Sequence, residues 1–378
     1  MAAVTAEFGG FYRGRRVLVT GDTGFKGSWL CLWLARLGAD VTGFALPPPD
    51  DRPSNFVLSR VAERIRHVDG DVREPDGLAR AVADHDPEVV FHLAAQPLVR
   101  ASLDRPLETF ATNVMGTAHV LEAVRESAAV RSVVMVTSDK CYRNQEWVWG
   151  YRETDALGGH DPYSASKAGA ELAIAAYRHC LETVWRPEAA PAVASARAGN
   201  VIGGGDWSPD RIVPDLVRAV AADEPVRIRM AEATRPWQHV LEPLSGYLRL
   251  GQVLATGAPE YRSAWNFGPG AERPVTVGEL ARRFLGHWGR EDLLPRVREG
   301  ENAHLAEMTL LRLNADKAAH LLDWRTVWDV EGMIGATAEW YAAHLACPDR
   351  DMAEVSTRQI DDYVRRAGEL GVTWAVAA

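Results

Sequence analysis

The sequence lacks the features that would place it in or across a membrane. No apolar run in its 378 residues is long enough to span a bilayer. Residues 1–16 carry Arg13, Arg15 and Arg16 but no apolar core of the kind that defines a signal peptide. There is also no internal repeat and no long low-complexity tract. We therefore predict a cytoplasmic protein with no membrane partner.

Positive charge is also scarce. Lys and Arg number 42 against 51 Asp and Glu, which gives a formal net charge of −9. A nucleic-acid partner would need a basic surface, so this balance predicts no such partner. An anionic ligand would instead have to meet a local cluster of donors.

Cysteines are few and have no metal-like spacing. Cys31, Cys141, Cys180 and Cys347 are therefore predicted to be reduced thiols, and no metal site is expected. Cys31 and Cys180 lie in helical patterns. Cys141 adjoins a candidate catalytic segment, which leaves an active thiol there as an alternative.

The chain does contain a regular alternation of short apolar runs and helical patterns. Such an alternation is typical of a parallel sheet covered by helices on both faces. We predict helices over 28–37 and 163–180, and strands over 17–20, 41–46, 66–69, 89–93, 133–136 and 192–196. Regularity then falls, with a loop over 203–207, short strands near 226–229 and 265–267, and helices near 277–289 and 329–345.

A glycine-rich loop joins the first predicted strand to the first helix. It reads Thr20-Gly21-Asp22-Thr23-Gly24-Phe25-Lys26-Gly27. In this context the first glycine permits a tight turn, the second lets the backbone approach a pyrophosphate, and the third permits close helix–strand packing. Free N–H groups at a helix start favour an anion. The loop therefore predicts a dinucleotide site, and NAD is the predicted cofactor.

The end of the second strand does not choose between NAD and NADP. NAD-selective proteins of this kind usually carry an acidic residue there for the ribose hydroxyls. This chain has Phe44-Ala45-Leu46 instead, and Arg52 comes several residues later. Asp71 follows the third strand, where it is placed either to contact adenine or to act as a helix cap or turn carboxylate.

Two short motifs carry candidate acid–base groups. Tyr163 and Lys167 are four residues apart, so both project from one face of a helix. Because an ammonium group stabilises a phenolate, we expect a lowered pKa for Tyr163 and proton transfer from a sugar hydroxyl. The second motif, Thr137-Ser138-Asp139-Lys140, ends the fifth predicted strand.

Several stretches resemble the extended short-chain dehydrogenase/reductase family, and within it the CDP-glucose 4,6-dehydratases. The resemblance covers nearly the whole chain, and only the terminal extensions match weakly. The matching stretches are TGDTGFKGSWL (20–30), FHLAAQPLVR (91–100), TNVMGT (112–117), TSDKCY (137–142), DPYSASK (161–167), SARAGNVIGGGDW (195–207) and RPWQHVLEPLSGYL (235–248).

The resemblance implies an α/β fold with a Rossmann-type doubly wound parallel sheet and a smaller C-terminal α/β substrate lobe. Residues 1–196 are predicted to form the NAD-binding Rossmann domain, with a returning segment near 238–268. Residues 197–378 are predicted to form mainly the nucleotide-sugar-binding lobe. The resemblance further implies a homodimer that binds NAD and acts on a nucleotide-activated hexose, most directly a CDP-hexose.

The family reaction is dehydration by way of redox: C4 is oxidised, water leaves across C5 and C6, and hydride returns to C6. The resemblance implies that Tyr163, with Lys167 beside it, takes the C4 hydroxyl proton and that Ser138 bonds the C4 oxygen. Asp139 would protonate the departing C6 hydroxyl. Lys140 is either the C5 base, if its pKa is lowered, or an electrostatic stabiliser of the enolate. The structural alternative for Ser138 and Asp139 is a capped turn.

The resemblance also implies which residues hold the two ligands. Arginine grips a diphosphate through two parallel bonds, although any one such arginine is alternatively part of a structural salt bridge. The expected substrate contacts are Gln96, Asn200, Arg211, Arg235 and His239. The expected NAD contacts, besides Tyr163 and Lys167, are Gly21, Thr23, Gly24, Phe25, Lys26, Gly27, Asp71, Val72, Leu93, Ala94 and Ala95.

Some of the 13 tryptophans are predicted to lie near the ligands. Aromatic faces can cover a sugar or a base, whereas tryptophans on the first helix are predicted core. The tryptophans predicted to lie near the ligands are Trp147, Trp149, Trp207 and Trp237. Those predicted to lie in the core are Trp29 and Trp33.

Two departures from the family pattern bear on substrate choice. Residues 228–234 stand where Asn-Pro is usual, and Arg143 replaces a common acidic residue. A 4-epimerase or decarboxylase of the same family is an alternative, although a hydride-retaining epimerase would not need Asp139 and Lys140. A non-catalytic dinucleotide sensor would be expected to lose Tyr163 or Lys167, and this chain keeps both.

Overall fold

A seven-stranded sheet forms the centre of the computed structural model, which describes residues 7–376 apart from 227, 229, 271–274 and 295–309. The strands in chain order are β1 (Arg16–Thr20), β2 (Asp40–Ala45), β3 (Arg66–Asp69), β4 (Val89–His92), β5 (Ser132–Val136), β6 (Ala192–Ala198), β7 (Val201–Ile202), β8 (Thr234–Arg235), β9 (Gln238–His239), β10 (Ala264–Phe267) and β11 (Val275–Thr276). The sheet order is β10-β6-β5-β4-β1-β2-β3, and every neighbouring pair is parallel.

The central strands are apolar throughout because both faces of the sheet are covered. Val17 and Val19 of β1 belong to one hydrophobic core, and Leu18 between them belongs to another on the opposite face. Alternate side chains of a strand point to opposite faces, so a continuous apolar run fills both cores. The predicted doubly wound α/β class is confirmed, and all six strands predicted in the first half are present.

Helices cover the sheet and build the second lobe. They are α1 (Phe25–Arg36), α2 (Asn55–Leu58), α3 (Pro75–His85), α4 (Val99–Asp104), α5 (Pro106–Phe110), α6 (Gly116–Glu126), α7 (Pro162–Cys180), α8 (Ile212–Ala222), α9 (Leu241–Leu254), α10 (Val277–Gly286), α11 (Asp316–Leu322), α12 (Val330–Ala346) and α13 (Met352–Glu369). The predicted helices correspond to α1, α7, α10 and α12. No described helix has the length and apolar character needed to cross a membrane, and the cytoplasmic location stays a prediction.

The second half of the chain differs from expectation in two places. Val226 and Ile228, predicted to lie in a short strand, are outside any strand, and Arg227 and Arg229 lie outside the described residues. Residues 264–267, in contrast, form β10 and complete the main sheet beside β6. Helix α13 packs against α1, so the C-terminal region also contributes to the outer layer of the sheet. The exact division into two lobes stays a prediction.

Strand order places β1 between β2 and β4, so the chain leaves the carboxyl ends of β1 and β4 toward opposite sides of the sheet. Open α/β sheets bind ligands at such a switch point. A cleft of about 1520 Å³ lies there, between the strand ends and residues 199–237. The sheet topology therefore positions the candidate site.

Candidate active site

The cleft collects nearly all of the residues that the sequence analysis singled out. The candidate catalytic residues, the candidate NAD contacts, and Gln96, Asn200, Arg211 and Arg235 all line it. His239 is the exception. Side chains separated by more than 200 residues in sequence thus share one cavity.

The glycine loop packs closely against neighbouring backbone and presents N–H donors to the cleft. Gly21 has φ of +79°, and a Cβ there would lie 2.6 Å from the backbone nitrogen of Ala94. A Cβ at Gly27 would overlap the carbonyl oxygen of Gly21. Helix α1 begins after Gly24 without a side-chain cap, so its first N–H groups face the cleft unblocked by any capping side chain. A dinucleotide pyrophosphate fits this shape and polarity.

The end of β2 carries no charged group toward the ribose side of the cleft. Ala45 and Leu46 line the cleft, and the Leu46 carbonyl accepts a hydrogen bond from Thr23 at 2.9 Å. Arg52 also lines it, as does Arg73, which the sequence analysis did not single out. The region therefore offers backbone, small apolar side chains and two arginines.

Asp71 is a turn carboxylate that also lines the cleft. Its oxygens accept hydrogen bonds from the Arg73 backbone nitrogen at 2.9 Å and from the Arg73 guanidinium at 2.8 and 2.5 Å. The guanidinium hydrogen bonds lower the pKa of Asp71. Asp71 thus acts as a turn carboxylate, while its contact with adenine stays a prediction.

Helix α7 presents Tyr163 and Lys167 to the cleft from its first two turns. Asp161 caps the helix by accepting hydrogen bonds from the Ser164 nitrogen at 2.9 Å and the Ser164 hydroxyl at 2.6 Å. The backbone nitrogen of Tyr163 donates to Ser102 Oγ at 3.2 Å, which ties the helix start to α4. Both candidate catalytic side chains are buried, so a rigid helix end positions them.

The pKa shift of Tyr163, beside Lys167, differs from the prediction. Burial raises the pKa of Tyr163 to about 12, although a hydrogen bond with Ser138 acts in the opposite direction. Burial also lowers the pKa of Lys167 to about 8. The expected lowering of the Tyr163 pKa is wrong for this structure, because burial of the phenol raises it.

Asp139 has the environment of a proton donor. It is 3% exposed, and burial raises the pKa of its carboxyl group. Its Oδ1 accepts a hydrogen bond from Ser138 Oγ at 2.9 Å, and its Oδ2 has no hydrogen-bond partner among the described residues. Ser138 also accepts from the Lys140 nitrogen at 3.2 Å, so the capped turn exists as well. A buried carboxyl of raised pKa with one unpaired oxygen is suited to donate a proton to a leaving hydroxyl.

The substrate side of the cleft is rich in arginine. Arg211, at the start of α8, donates to Asp206 Oδ2 at 2.8 Å, and Arg235 of β8 donates to the Thr234 carbonyl oxygen at 2.9 Å. Arg100, which sequence reasoning missed, pairs with Asp210 at 3.1 Å and also lines the cleft. These cations supply the local cluster of donors that an acidic protein needs for an anionic ligand.

Gln96 lines the cleft, but its side chain is already engaged. Its Nε2 donates to the Leu98 carbonyl at 3.1 Å and to Thr109 Oγ1 at 2.8 Å, and its Oε1 accepts from the Leu98 nitrogen at 2.6 Å. The amide therefore shapes the loop after β4. Direct contact with substrate stays a prediction.

Residues 18–259 match the family described as GDP-mannose 4,6 dehydratase. This chain belongs to that family. It is 45% identical, over 94% of its length and 97% of the relative, to the CDP-glucose 4,6-dehydratase of Salmonella typhimurium. The predicted family and the predicted enzyme class, a nucleotide-sugar 4,6-dehydratase, are confirmed.

Two solved structures resemble this member of the dehydratase family. MoeE5 in complex with UDP-glucose and NAD is 25% identical with a TM-score of 0.70, covering 87% of this chain and 99% of MoeE5. A DesIV double mutant, a dTDP-glucose 4,6-dehydratase from Streptomyces venezuelae with NAD and DAU bound, has a TM-score of 0.73 at 23% identity, covering 88% and 98%. The similarity to DesIV, at 23% identity, shows a shared fold alone.

His239 is the one predicted substrate contact that the dehydratase fold places elsewhere. It is fully buried in β9, between the rings of Trp29 and Trp328 at centroid distances of 5.9 and 4.8 Å. Its Nδ1 accepts from the Leu241 nitrogen at 3.3 Å, and burial lowers its pKa to about 3. A fully buried ring that does not line the cleft has no access to a diphosphate there, so the predicted role is wrong for this structure.

Most of the tryptophans predicted to lie near the ligands do not line the cleft. Trp237 does, but Trp207 packs edge-on against Tyr341, and Trp147 packs against Tyr151. Trp149 is exposed beside Trp147. The predicted core positions of Trp29 and Trp33 are confirmed, since both are fully buried.

The alternative of an active thiol at Cys141 is wrong. Its side chain is fully buried, and burial raises the thiol pKa well above its usual value. A thiol that cannot ionise is a poor nucleophile. All four cysteines are free, as predicted, and no cluster of metal ligands occurs in the part of the chain that the structure describes.

Proposed function

We propose that this enzyme catalyses the NAD-dependent 4,6-dehydration of CDP-glucose to CDP-4-keto-6-deoxy-glucose. The observation that carries the proposal is Asp139: a buried carboxyl of raised pKa, with an unpaired oxygen, in the same cleft as Tyr163 and Lys167. A simple dehydrogenase or epimerase needs the Tyr–Lys pair but no such acid. The choice of cytidine rests on the relative of 45% identity from Salmonella typhimurium.

The first stage requires removal of the C4 hydroxyl proton. Tyr163 is the proposed base, and Ser138, which hydrogen-bonds the same phenol, orients the C4 oxygen. Lys167 supplies a cation one helical turn away. NAD, bound along the glycine loop, supplies the redox chemistry by accepting hydride from C4 and returning it to C6.

The second stage eliminates water across C5 and C6. Asp139 is the proposed donor of a proton to the departing C6 hydroxyl, a role that the upward shift of its pKa by burial favours. Lys140, half-buried at the same edge of the cleft, either takes the C5 proton or stabilises the charge that develops on the enolate. Both roles require the Ser138–Lys140 segment to lie against the hexose.

The diphosphate is the proposed ligand of Arg211 and Arg235. Both line the cleft. Asp206, 4% exposed, holds the Arg211 guanidinium through one of its nitrogens, which leaves further donors for the phosphates. Asn200 also lines the cleft and is a proposed sugar contact.

The decisive experiment is incubation with NAD and a panel of CDP-, dTDP-, UDP- and GDP-hexoses, read by mass. We expect loss of one water from CDP-glucose, with deuterium placed at C4 recovered at C6 and no net reduced NAD. Products of unchanged mass would indicate an epimerase, stoichiometric reduced NAD a simple dehydrogenase, and binding of NAD without turnover a sensor. Loss of water from another nucleotide hexose alone would contradict the choice of cytidine.

We further propose that two copies of the chain pair through an apolar face on α5, the π-helical turn at 111–115 and α7. Leu107, Phe110, Met115 and Leu172 are exposed there, and α5 packs against α7. Apolar side chains clustered on one face mark association surfaces. Leu107→Glu should shift the mass in solution from dimer to monomer, whereas Leu321→Glu, at an exposed leucine on α11, should not. A monomeric wild-type protein would contradict the proposal.

A further inference from the structure

A buried ion pair lies directly behind the residues proposed for water loss. Glu171 and Arg197 are 3% exposed each, and Arg197 Nη2 lies 2.7 Å from Glu171 Oε2. Glu171 is on α7, one turn beyond Lys167, and Arg197 is on β6. Neither residue lines the cleft, so neither can touch substrate.

Glu171 holds the beginning of the catalytic segment. Its Oε1 accepts a hydrogen bond from Thr137 Oγ1 at 2.5 Å, and its Oε2 also accepts from Ser195 Oγ at 2.7 Å. Thr137 is the residue immediately before Ser138 and Asp139. The helix that carries Tyr163 is therefore bonded to the start of the segment that carries Asp139.

Arg197 holds the other end of the same segment. Its Nη1 donates to the Tyr142 hydroxyl at 2.7 Å, and its guanidinium carbon lies 4.9 Å from the Tyr142 ring centre. Tyr142 follows Lys140 by two residues, and its hydroxyl donates onward to Asn266 Oδ1 at 2.7 Å. Asn266 belongs to β10, the strand that returns to complete the sheet.

We propose that the Glu171–Arg197 pair is a positioning device for the elimination stage, which fixes Asp139 and Lys140 relative to Tyr163 by clamping both ends of their segment. The inference rests on the proposed function, because only a two-stage reaction needs two sets of groups in fixed register. Burial alone would raise the pKa of Glu171, yet the hydrogen bond from Arg197 makes the net shift downward. The carboxylate thus stays charged and keeps its three donors.

The test removes one hydroxyl at each end of the segment and leaves the ion pair intact. Thr137→Val removes the bond to Glu171, and Tyr142→Phe removes the bond to Arg197. Each has a matched control that loses one buried hydroxyl bond far from the cleft: Thr337→Val, whose hydroxyl donates to the Met333 carbonyl at 2.8 Å, and Tyr12→Phe, whose hydroxyl donates to the Leu248 carbonyl at 2.6 Å. Thermal unfolding of each variant is measured beside its control.

Single-turnover absorbance of reduced NAD separates the two stages. It rises when C4 is oxidised and falls when hydride returns after elimination. In Thr137→Val and Tyr142→Phe we expect the fall to slow by roughly 10- to 100-fold, because small displacements of acid–base groups cost rates of this size. The rise should slow less, because the first stage uses only Ser138 from this segment. The controls should change neither phase. This readout does not respond to a uniform loss of folded protein.

Two results would overturn the positioning role. One is equal slowing of both phases, and the other is kinetics indistinguishable from the controls. Failure of the proposed function is recognised separately, because the wild-type protein would then produce no dehydrated product from any nucleotide hexose. The two failures therefore have different signatures.

Discussion

The two halves of the cleft are lined by different kinds of chemical group. The half at the carboxyl ends of β1–β3 is lined by the glycine loop, by Ala45 and Leu46 at the end of β2, and by Arg52 and Arg73. The half at the ends of β5 and β6 consists of buried charged and polar side chains, such as Asp139 and Lys167, which lie among aromatic and apolar neighbours. The first half therefore offers a ligand the backbone of the glycine loop and two arginines, whereas the second offers buried ionisable side chains.

This difference predicts separable failures. Changes in the first half should alter the affinity for NAD with little effect on the chemistry of bound substrate. Changes in the second half should alter rate constants with little effect on NAD affinity. The predictions below test that separation.

The largest effect is expected for Tyr163→Phe. Removal of the phenolic oxygen removes the proposed base, so kcat should fall by roughly 10² to 10⁴. The ring still packs, so the dissociation constant for NAD, measured by quenching of tryptophan fluorescence, should stay within about twofold. A near wild-type rate would rule out this mechanism, and a large loss of NAD affinity would break the separation of the two halves.

Asp139→Asn should slow water loss by roughly 10² to 10³, because the amide cannot donate the acid proton. The C4 oxidation should be much less affected, and reduced NAD should accumulate in a single turnover. In the wild type, burial raises the pKa of Asp139, so elimination should weaken as the pH rises through that pKa. The asparagine variant should lose this alkaline limb. An unchanged pH profile would assign the acid to another group.

Ala45→Asp should tighten NAD by about ten- to a hundredfold, because one charged hydrogen bond to a ribose hydroxyl is worth about 1.5–3 kcal/mol. The wild type should accordingly lose NAD on purification and need added cofactor for full activity. Ala45→Asn, which offers a neutral acceptor, should give a smaller gain. A fully loaded wild type, together with no response to aspartate, would show that another group holds the ribose.

The smallest effect on activity is expected at Glu242, a buried carboxyl outside both halves. It accepts hydrogen bonds from the Tyr363 hydroxyl at 2.7 Å and the Trp328 nitrogen at 2.9 Å, and burial raises its pKa to about 7. A raised folded-state pKa means that stability is full below about pH 4.5 and is lost as the pH rises through about 7. The loss should be up to about 3 kcal/mol.

Thermal unfolding between pH 4.5 and 8 measures this contribution. Glu242→Gln keeps the side-chain size and one acceptor but does not titrate, so its melting temperature should vary less with pH than that of the wild type. If the melting temperatures of the two proteins change in parallel with pH, the raised pKa of Glu242 would be contradicted. By comparison with Glu171, whose pKa is lowered by Arg197, the result would show what a buried counter-ion contributes.

Much of the fold could be read from the chain because its signals are local. Apolar runs such as Val17-Leu18-Val19 are continuous since they fill cores on both faces, and Gly38, with φ of +80°, ends the first helical segment. Helix α13 was missed. Its buried residues, among them Val355, Gln359, Ile360 and Tyr363, recur at helical spacing, so this helix too could have been read from the sequence.

The candidate site was predictable where a motif fixes geometry by itself. A spacing of four on a helix places Tyr163 and Lys167 on one face, and the structure has them buried at the cleft. The role of His239 was wrong because burial is a property of neighbours distant in sequence. Trp29 lies 210 residues away from it in sequence and covers its ring.

The sequence by itself determined the order of strands and helices in the first half of the chain and the glycine loop, because each depends on residues within a turn or two of one another. It predicted the acid–base groups in the same way. Only the tertiary structure decided which groups are desolvated, and therefore that the pKa values of Tyr163 and Asp139 rise. It also decided that Glu171 and Arg197 meet behind the cleft. Desolvation and ion pairing depend on the density of atoms around a charge, and that density is set by the packing of the whole chain.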